Sequence, residues 1–526
     1  MSPPGVAAAG NAGQALISKE TMDGRWSAAA ARAFSFPIMA GVVMAAGVYL
    51  CCYNRNILSD PDIWWHLRNA QYLLAHHSFL RTDLYSSTIY GKPWINPEWL
   101  SELPYYAAWK LFGFRGIYFV AVCMIELLAL GVCALAWQRL RNIKAAVAAS
   151  ATFVVMASVS MSPRTQLLGW MCFVLELFLL ENYRQGKDRL WALPVIFALW
   201  VNLHGSWPIG LLTLLISIAC GWFELRRGSL ETLRWTAAQR RRLLLILALS
   251  VAAAFLNPYG WRLVAYPFQI AFHHPLTLAT VVEWQSLDFH SFRGKFVFAL
   301  LASLLLLSAA ARRMWSLTDL FLLLFATLAA FTYSRFLLFE AIVLPPLLAR
   351  ELTIFSAYRR EIDKPWMNFA IITAMAVFLF THFPAEDGLR GQAEADTPAR
   401  AVLFLKSHPP KGRLLNDFNW GGYLIWKLPR VKVFIDTRAD AFEAQGVFAD
   451  YVDAMMMKRP LEVLDRYRIE SVLLPKSEPL SYLLVRTPGW VKLYDDGAAV
   501  VLERSAFTQP APVLDGPRTF ADASRR

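Results

Sequence analysis

The chain has 526 residues, of which 56% are hydrophobic and 17% charged. Globular domains average about 45–50% apolar and roughly 25% charged residues, and the apolar excess here is gathered into runs such as 296–311 and 369–380 that stop before the last quarter. A soluble globular chain, a collagen-like or coiled-coil protein and a disordered one are thereby excluded, leaving a multi-pass membrane protein with a soluble tail.

The net charge of +13 does not point to nucleic acid. Its basic residues come in short clusters between apolar runs, among them Arg139 with Arg141, Arg240 to Arg242, and Arg359 with Arg360. That is the pattern of loops facing anionic lipid, so a membrane-lipid partner is expected and a nucleic-acid partner is not. All six cysteines lie in or beside apolar runs, which leaves the tail without a disulfide framework or zinc knuckle.

In chain order, residues 1–33 are small and polar and read as a disordered cytoplasmic arm. The apolar run 36–52 is long for a signal peptide and no small-residue cleavage site follows it, so it reads as an uncleaved anchor. A span needs about 20 apolar residues. That window marks roughly eleven, at 35–53, 116–137, 144–161, 166–183, 188–203, 207–225, 242–256, 294–311, 317–333, 336–350 and 366–383, inside a membrane domain over 34–385. With the N-terminus in the cytoplasm, each inside connection carries at least two Lys or Arg. The tail after about residue 384 then falls outside a plasma (inner) membrane, in one compartment with the polar loops.

The first outside loop, 54–115, carries the densest chemistry. Asp60 and Asp62 follow the first span at once, and two amphipathic stretches, 63–75 and 98–112, have the aromatic content of interfacial helices. The two acids could equally cap the helix that begins at Ile63. His66 and Glu98 sit on the two stretches. The shorter outside loops add Arg164 and Gln166 in SPRTQ, Asn202 and His204 in WVNLHGSWP, Glu283, and Arg335 between two apolar runs. Ionisable groups at membrane depth are costly unless paired or facing a cavity, so their gathering at one face predicts a shared polar pocket. Singly, Arg164 and Arg335 also read as lipid-phosphate anchors and His204 as a packing residue. The D-x-D spacing of Asp60 and Asp62 could hold Mg²⁺ or Mn²⁺ through oxygen ligands. Two carboxylates alone do not make a metal site, and none is assigned.

After a linker over 386–412, strands alternate with helical stretches, which predicts a small α/β domain over 413–506. RLLND, KVFID and ESVLLP read as strands, 461–468 as a helix, and WVKLYDD with AAVVLER as a hairpin around Gly497. Asp417, Asp436, Arg438 and Asp440 fall near predicted strand ends, where α/β sheets place ligand sites. Loop capping and a structural Asp–Arg pair are the plainer reading of the same residues. Residues 507–526 read as a flexible tail.

A first span followed at once by an acidic motif, two interfacial helices, many short-looped spans and a soluble C-terminal domain resemble the GT-C superfamily. These are integral-membrane glycosyltransferases that use polyprenyl-phosphate-linked sugars: oligosaccharyltransferase catalytic subunits, protein O-mannosyltransferases and arabinose–lipid A transferases. DPDIWWHLRNAQYLL, GKPWINPEWLSE, WVNLHGSWPIG and LNPYGW look like a bacterial branch of it. The resemblance covers about residues 35–385. It implies a GT-C-like helical membrane fold of about eleven spans, a polyprenyl-phosphate sugar donor, and an extracytoplasmic glycan, lipid or protein acceptor. It also implies that the carboxylate just after the first span, Asp62 or Asp60, is the catalytic base of an inverting-like transfer. The tail has no counterpart of the oligosaccharyltransferase WWD motif, which argues against transfer to asparagine. Two rival readings are a lipid or sugar transporter (a flippase, for example) and a non-catalytic envelope-assembly scaffold.

Overall fold

A computed structural model describes residues 28–53, 55–158 and 161–505. Of the expected arm, residues 1–27 lie outside the described residues and Ala28–Ala33 is a short helix; the expected flexible tail 507–526 also lies outside them. The described residues form two compact units. One runs up to Arg81 and resumes over Pro93–Asp396, and the other joins Thr82–Lys92 to the chain from Thr397 onward. The boundary near residue 396 falls inside the expected linker, part of which is helical (Ala399–Ser407). The excursion of Thr82–Lys92 was not legible in the sequence.

The first unit is built from helices, and each apolar segment read from the sequence overlaps one of them. Three are long and apolar enough to cross a membrane: Ala29–Tyr53, Trp99–Leu140 and Phe292–Ala310. A fourth results if Pro365–Thr381 and Glu386–Glu394, bent by 66°, count as one span. Ile143–Ala157, Ala192–Leu203, Trp207–Cys220 and Leu317–Thr332 are apolar but shorter. Leu337–Ala349 is buried along its whole length. It packs on Ile143–Ala157, Leu317–Thr332 and Trp99–Leu140. Apart from Glu340, whose carboxylate takes the Thr327 hydroxyl at 3.1 Å, it is apolar on every side, and such a helix finds its place in a core.

Both amphipathic stretches of the first loop are helical. Ile63–His76 buries Trp64, Trp65, His66 and Asn69 on one face. The second stretch is continuous with the next span, in Trp99–Leu140, but the backbone breaks at Gly113, with φ 62° and ψ −144°. A Cβ there would sit 2.5 Å from Glu386 Oε1. The Glu386 carboxylate accepts from the Phe114 and Arg115 N–H groups, both at 3.1 Å, and so caps the half-helix that begins there. Two short strands, β1 (Leu225–Arg227) and β2 (Leu230–Thr232), pair antiparallel, and β2 runs parallel to β3 (Trp315–Ser316).

In the second unit β4 (Arg413–Asn416), β5 (Ile469–Pro475), β6 (Trp490–Asp495) and β7 (Ala499–Arg504) form a sheet in the order β4-β5-β7-β6. β4 and β5 are parallel, and the other pairs are antiparallel. The expected hairpin is β6–β7, with Gly497 at φ 88° in its turn. The strand expected in KVFID does not form: Val433 makes one isolated bridge, to Ser86 of the inserted loop segment. Around it the Ser87 N–H donates to Val433 O at 2.8 Å and the Thr88 hydroxyl to Phe434 O at 2.6 Å. The Asn416 amide bridges to Ile435 O and the Phe434 N–H. The backbone polar groups of KVFID are thus met by a partner from the first loop and by a side chain, not by a ladder.

Arg438 locks this arrangement. Its guanidinium donates to both Asp436 oxygens, at 2.7 and 2.6 Å, and to Asp83 Oδ1 at 2.8 Å, with all three residues buried. Arg438→Met, which strands two buried carboxylates, is expected to cost about 3–5 kcal/mol. It should also speed tryptic cleavage after the exposed Arg81, at the entry to the inserted segment, in the full chain. Unfolding in detergent with the parent's stability would show that the loop is held by other contacts.

Candidate active site

The site lies in the first unit, where loops meet the ends of the helices. The chain leaves its first apolar helix at Tyr53 and reaches Asp60, which is buried, with 6% of its surface exposed. Asp60 Oδ1 accepts the Asp62 N–H at 3.0 Å. Its Oδ2 accepts the Ser162 hydroxyl at 2.9 Å and Arg164 Nε at 2.5 Å. The other arm of the Arg164 guanidinium, Nη1, is ion-paired with Glu283. Arg164 therefore joins three loops far apart in sequence. Burial works to raise the Asp60 pKa, but the Arg164 charge and the three hydrogen bonds hold it below the ordinary carboxylate value. Arg164, flanked by acids, is held firmly protonated.

Asp62 stands at the N-cap of Ile63–His76 yet makes no capping bond to that helix. Its carboxylate is half-buried and accepts from Trp65 Nε1 at 3.2 Å. Of the two acids, Asp60 is the one bonded to the backbone ahead of the helix, and through the Asp62 N–H it sets where Asp62 stands.

One turn on, His66 enters a second cluster. Its Nδ1 donates to Glu102 Oε1 at 2.9 Å, and its Nε2 lies 3.7 Å from Glu98 Oε2. Asn69 and Asn96 donate to the two Glu102 oxygens at 3.1 and 2.7 Å. The Thr165 hydroxyl donates to Glu98 Oε2 at 2.6 Å. His204 Nε2 is 3.4 Å from Glu98 Oε1, while its Nδ1 accepts the Ser206 N–H at 3.1 Å. A neutral His204 ring consequently carries its proton on Nε2, facing Glu98. Burial, with the positive charges of Arg335 and His66, pushes His204 down to about 3, so this ring is neutral. Burial also opposes a charge on His66, yet Glu102, Glu98 and Asp62 together raise its pKa. Glu98 is raised by burial against the pull of His66, Thr165 and Arg335.

Arg335 lies over the Trp284 ring, 4.1 Å from its centroid, and its charge acts on both Glu98 and His204. Among the described residues no carboxylate stands within ion-pairing distance of it. It is a half-buried cation stacked on an aromatic ring next to Glu283.

Eight of the ten membrane-unit residues read from the sequence therefore share one electrostatic neighbourhood: Asp60, Asp62, His66, Glu98, Arg164, His204, Glu283 and Arg335. Asn202 is a strut, its amide taken by Trp99 Nε1 and by the carbonyls of Ala198 and Leu256. Gln166 is buried at the start of its helix. Asp436 and Arg438 belong to the buried lock of the second unit. Asp417 turns the chain onto the Asn419 N–H at 2.9 Å and is pushed up to about 6 by burial. Asp440 lies in the first turn of Ala439–Glu443. Sequence reasoning missed Glu102, Ser162 and Thr165. Glu102 had a signal, since it stands one helical turn after Glu98 as Asn69 stands one turn after His66.

The Asp60–Asp62 pair does not suit a divalent cation. Both Asp60 oxygens are taken, and Arg164 already occupies the cation's place. Among the described residues no group of three or more His, Cys, Asp or Glu could hold a metal ion.

The opposed shifts give a pH signature. His66 and Glu98 bind protons more tightly folded than unfolded, so each stabilises the fold at low pH. Glu98's contribution is present below about pH 4.3 and His66's below about pH 6.5, and each is lost as pH rises through its raised folded value. Asp60 acts oppositely: its contribution is present above about pH 3.9 and is lost as pH falls through its lowered value. Glu102→Gln is expected to flatten the decline in thermal stability above about pH 6.5 in detergent. An unaltered slope would remove Glu102 as the group that charges His66.

No protein-family model and no curated protein sequence matches the chain. Solved structures do resemble it. The oligosaccharyltransferase of Archaeoglobus fulgidus, tethered to an acceptor peptide, aligns with a TM-score of 0.50 at 12% identity over 89% of this chain and 74% of that one. ArnT from Cupriavidus metallidurans, bound to undecaprenyl phosphate, aligns with a TM-score of 0.50 at 14% identity over 91% of this chain and 99% of that one. At such identities the likeness is one of fold alone.

Proposed function

We propose that the protein is a membrane glycosyltransferase that moves a sugar from a polyprenyl-phosphate carrier to an extracytoplasmic glycan, lipid or protein acceptor. The observation that carries this reading is the carboxylate and guanidinium cluster immediately after the first apolar helix, in a fold shared with an oligosaccharyltransferase and with a protein solved on undecaprenyl phosphate.

The reaction needs three things of the chain. The acceptor group must lose a proton as its oxygen attacks the anomeric carbon. The bond from that carbon to the phosphate oxygen must break with negative charge gathering on the phosphate. The two must also be lined up on opposite faces of the sugar, which inverts the anomeric centre.

Asp62 is our choice of base. Asp60, which accepts three hydrogen bonds and is held ionised by Arg164, is a poor proton acceptor and a good positioning group. Arg335 is our choice for the leaving phosphate, because a guanidinium without an ion-pair partner can offer its fork to phosphate oxygens. Glu98, held between His66 and His204, and the Arg164–Glu283 pair complete the polar wall of the pocket. A transporter draws less support, since the polar residues gather at one end of the helices and not at broken helices near their centres.

Asp62→Asn should lower transfer by about 10²–10⁴-fold and Arg335→Ala by about 10²–10³-fold, at unchanged protein level. The assay is complementation of a deletion strain, with mass spectrometry of the polyprenyl-linked sugars that accumulate. Full complementation by both Asp62→Asn and Asp60→Asn would sink the enzymatic reading.

A further inference from the structure

The helix Gln166–Arg184 has the Arg164 site at its start and Arg184 at its end, 19 residues on. At 1.5 Å per residue that is about 28 Å, close to the thickness of a bilayer's hydrocarbon core. The far end is also polar. A cavity of about 520 Å³ opens there, lined by Arg139, Arg184, Arg234 and Arg350 together with the acids Glu181, Glu231 and Asp319.

Cations at helix C-termini are often explained by the helix dipole, and Arg139 and Arg184 stand in such last turns. That explanation leaves donors over. Arg139 pairs with Glu181 at 3.3 Å and Asp319 at 3.2 Å. Arg184 reaches the same two carboxylates only at 3.8 and 3.7 Å and makes no hydrogen bond among the described residues. Arg350 spends its Nε on Glu351 and Nη1 on Met314 O, and its Nη2 is buried with no acceptor. Arg234 is exposed at the rim and has neither an ion pair nor a hydrogen bond among the described residues. A buried donor without an acceptor is costly, and Arg350 Nη2, the loosely paired Arg184 and the unpaired Arg234 at the rim leave this hollow with guanidinium donors to spare.

The surroundings say what kind of anion. Leu233, 80% exposed, lies on the cavity wall, and Trp222, Phe223 and Trp137 are exposed near the same helix ends. Exposed Trp and Leu beside Arg at the end of an apolar bundle are the furniture of the membrane interface, where acyl chains and phosphates meet. A soluble anion has no use for this apolar rim.

We infer that this cavity is a binding site for the phosphate headgroup of an anionic glycerophospholipid, at the end of the bundle opposite the candidate active site. The phosphate oxygens accept from Arg184, Arg350 Nη2 and Arg234, and the acyl chains leave over the Leu233 side. The site stands whether or not the transfer reading does.

The test uses the full chain, delipidated in a neutral detergent, with melting temperature followed on titration of phosphatidylglycerol, phosphatidylcholine or inorganic phosphate. Phosphatidylglycerol should raise the melting temperature saturably, and the other two should not. Arg184→Gln and Arg234→Gln should each weaken half-saturation about fivefold, as removal of one basic side chain from an anionic lipid does. Arg234 bears no ion pair, so its variant reads the site without a folding penalty. An equal response to phosphatidylcholine, an equal response to inorganic phosphate, or an undiminished phosphatidylglycerol response in folded Arg234→Gln each overturns the inference.

Discussion

A buried charge at the edge of an apolar bundle has to be neutralised where it stands, and the bond between Asp60 and Arg164 does this for the loop face of the molecule. The pair is not local. Asp60 follows the first helix, Arg164 precedes Gln166–Arg184, and Glu283 comes from a loop still further along the chain. Three loops that could each have moved independently share one guanidinium. Ser162 and the Asp62 N–H donate to the same carboxylate, so the loops stay in register even though the backbone between them is irregular.

From that anchor the carboxylates of the site diverge in character. Asp60 is pulled down by its cation, and Glu98 is pushed up by burial, although both belong to one face of one loop system. Pairs of acids driven apart in this way can divide labour, one remaining ionised while the other holds a proton. His66 and His204 extend the contrast: both rings face Glu98, yet one is drawn toward the charged form by Glu102 and the other toward neutrality by burial, with Arg335 adding to it.

Much of this was legible in the sequence because polar residues are rare in an apolar chain and therefore conspicuous. Asp60, Arg164, Glu283 and Arg335 stood out against hydrophobic neighbours, and alternating loop charge placed them on one face. The helices were legible for the same reason, and so were β4, β5 and the β6–β7 hairpin. What could not be read was partner choice across long separations. Asp60 and Asp62 are near neighbours with like side chains, and only the position of Arg164 shows which one is neutralised. KVFID has the pattern of a buried strand, but its backbone meets Ser86 of the first loop in one isolated bridge and the Asn416 side chain, not a ladder. Arg438 likewise pairs with its near neighbour Asp436, as the pattern suggests, and also with Asp83, which no local pattern predicts.

The capture of Thr82–Lys92 by the second unit constrains the path of the chain through the membrane without reference to charge. A segment bonded into a folded unit lies on the same side of the bilayer as that unit. Between residue 92 and residue 397 the chain must therefore cross an even number of times, whatever each shorter helix does. Helices such as Ala192–Leu203, with 12 residues, are too short to span the hydrocarbon unaided, so they cross by thinning the bilayer or by sharing a crossing with neighbours, or else only dip into it. Parity restricts these options jointly: if one short helix fails to cross, another must fail with it. The buried bond between Asp83 and Arg438 thus does more than hold a loop. It ties the side on which residues 82–92 emerge to the side on which the chain from Thr397 onward folds.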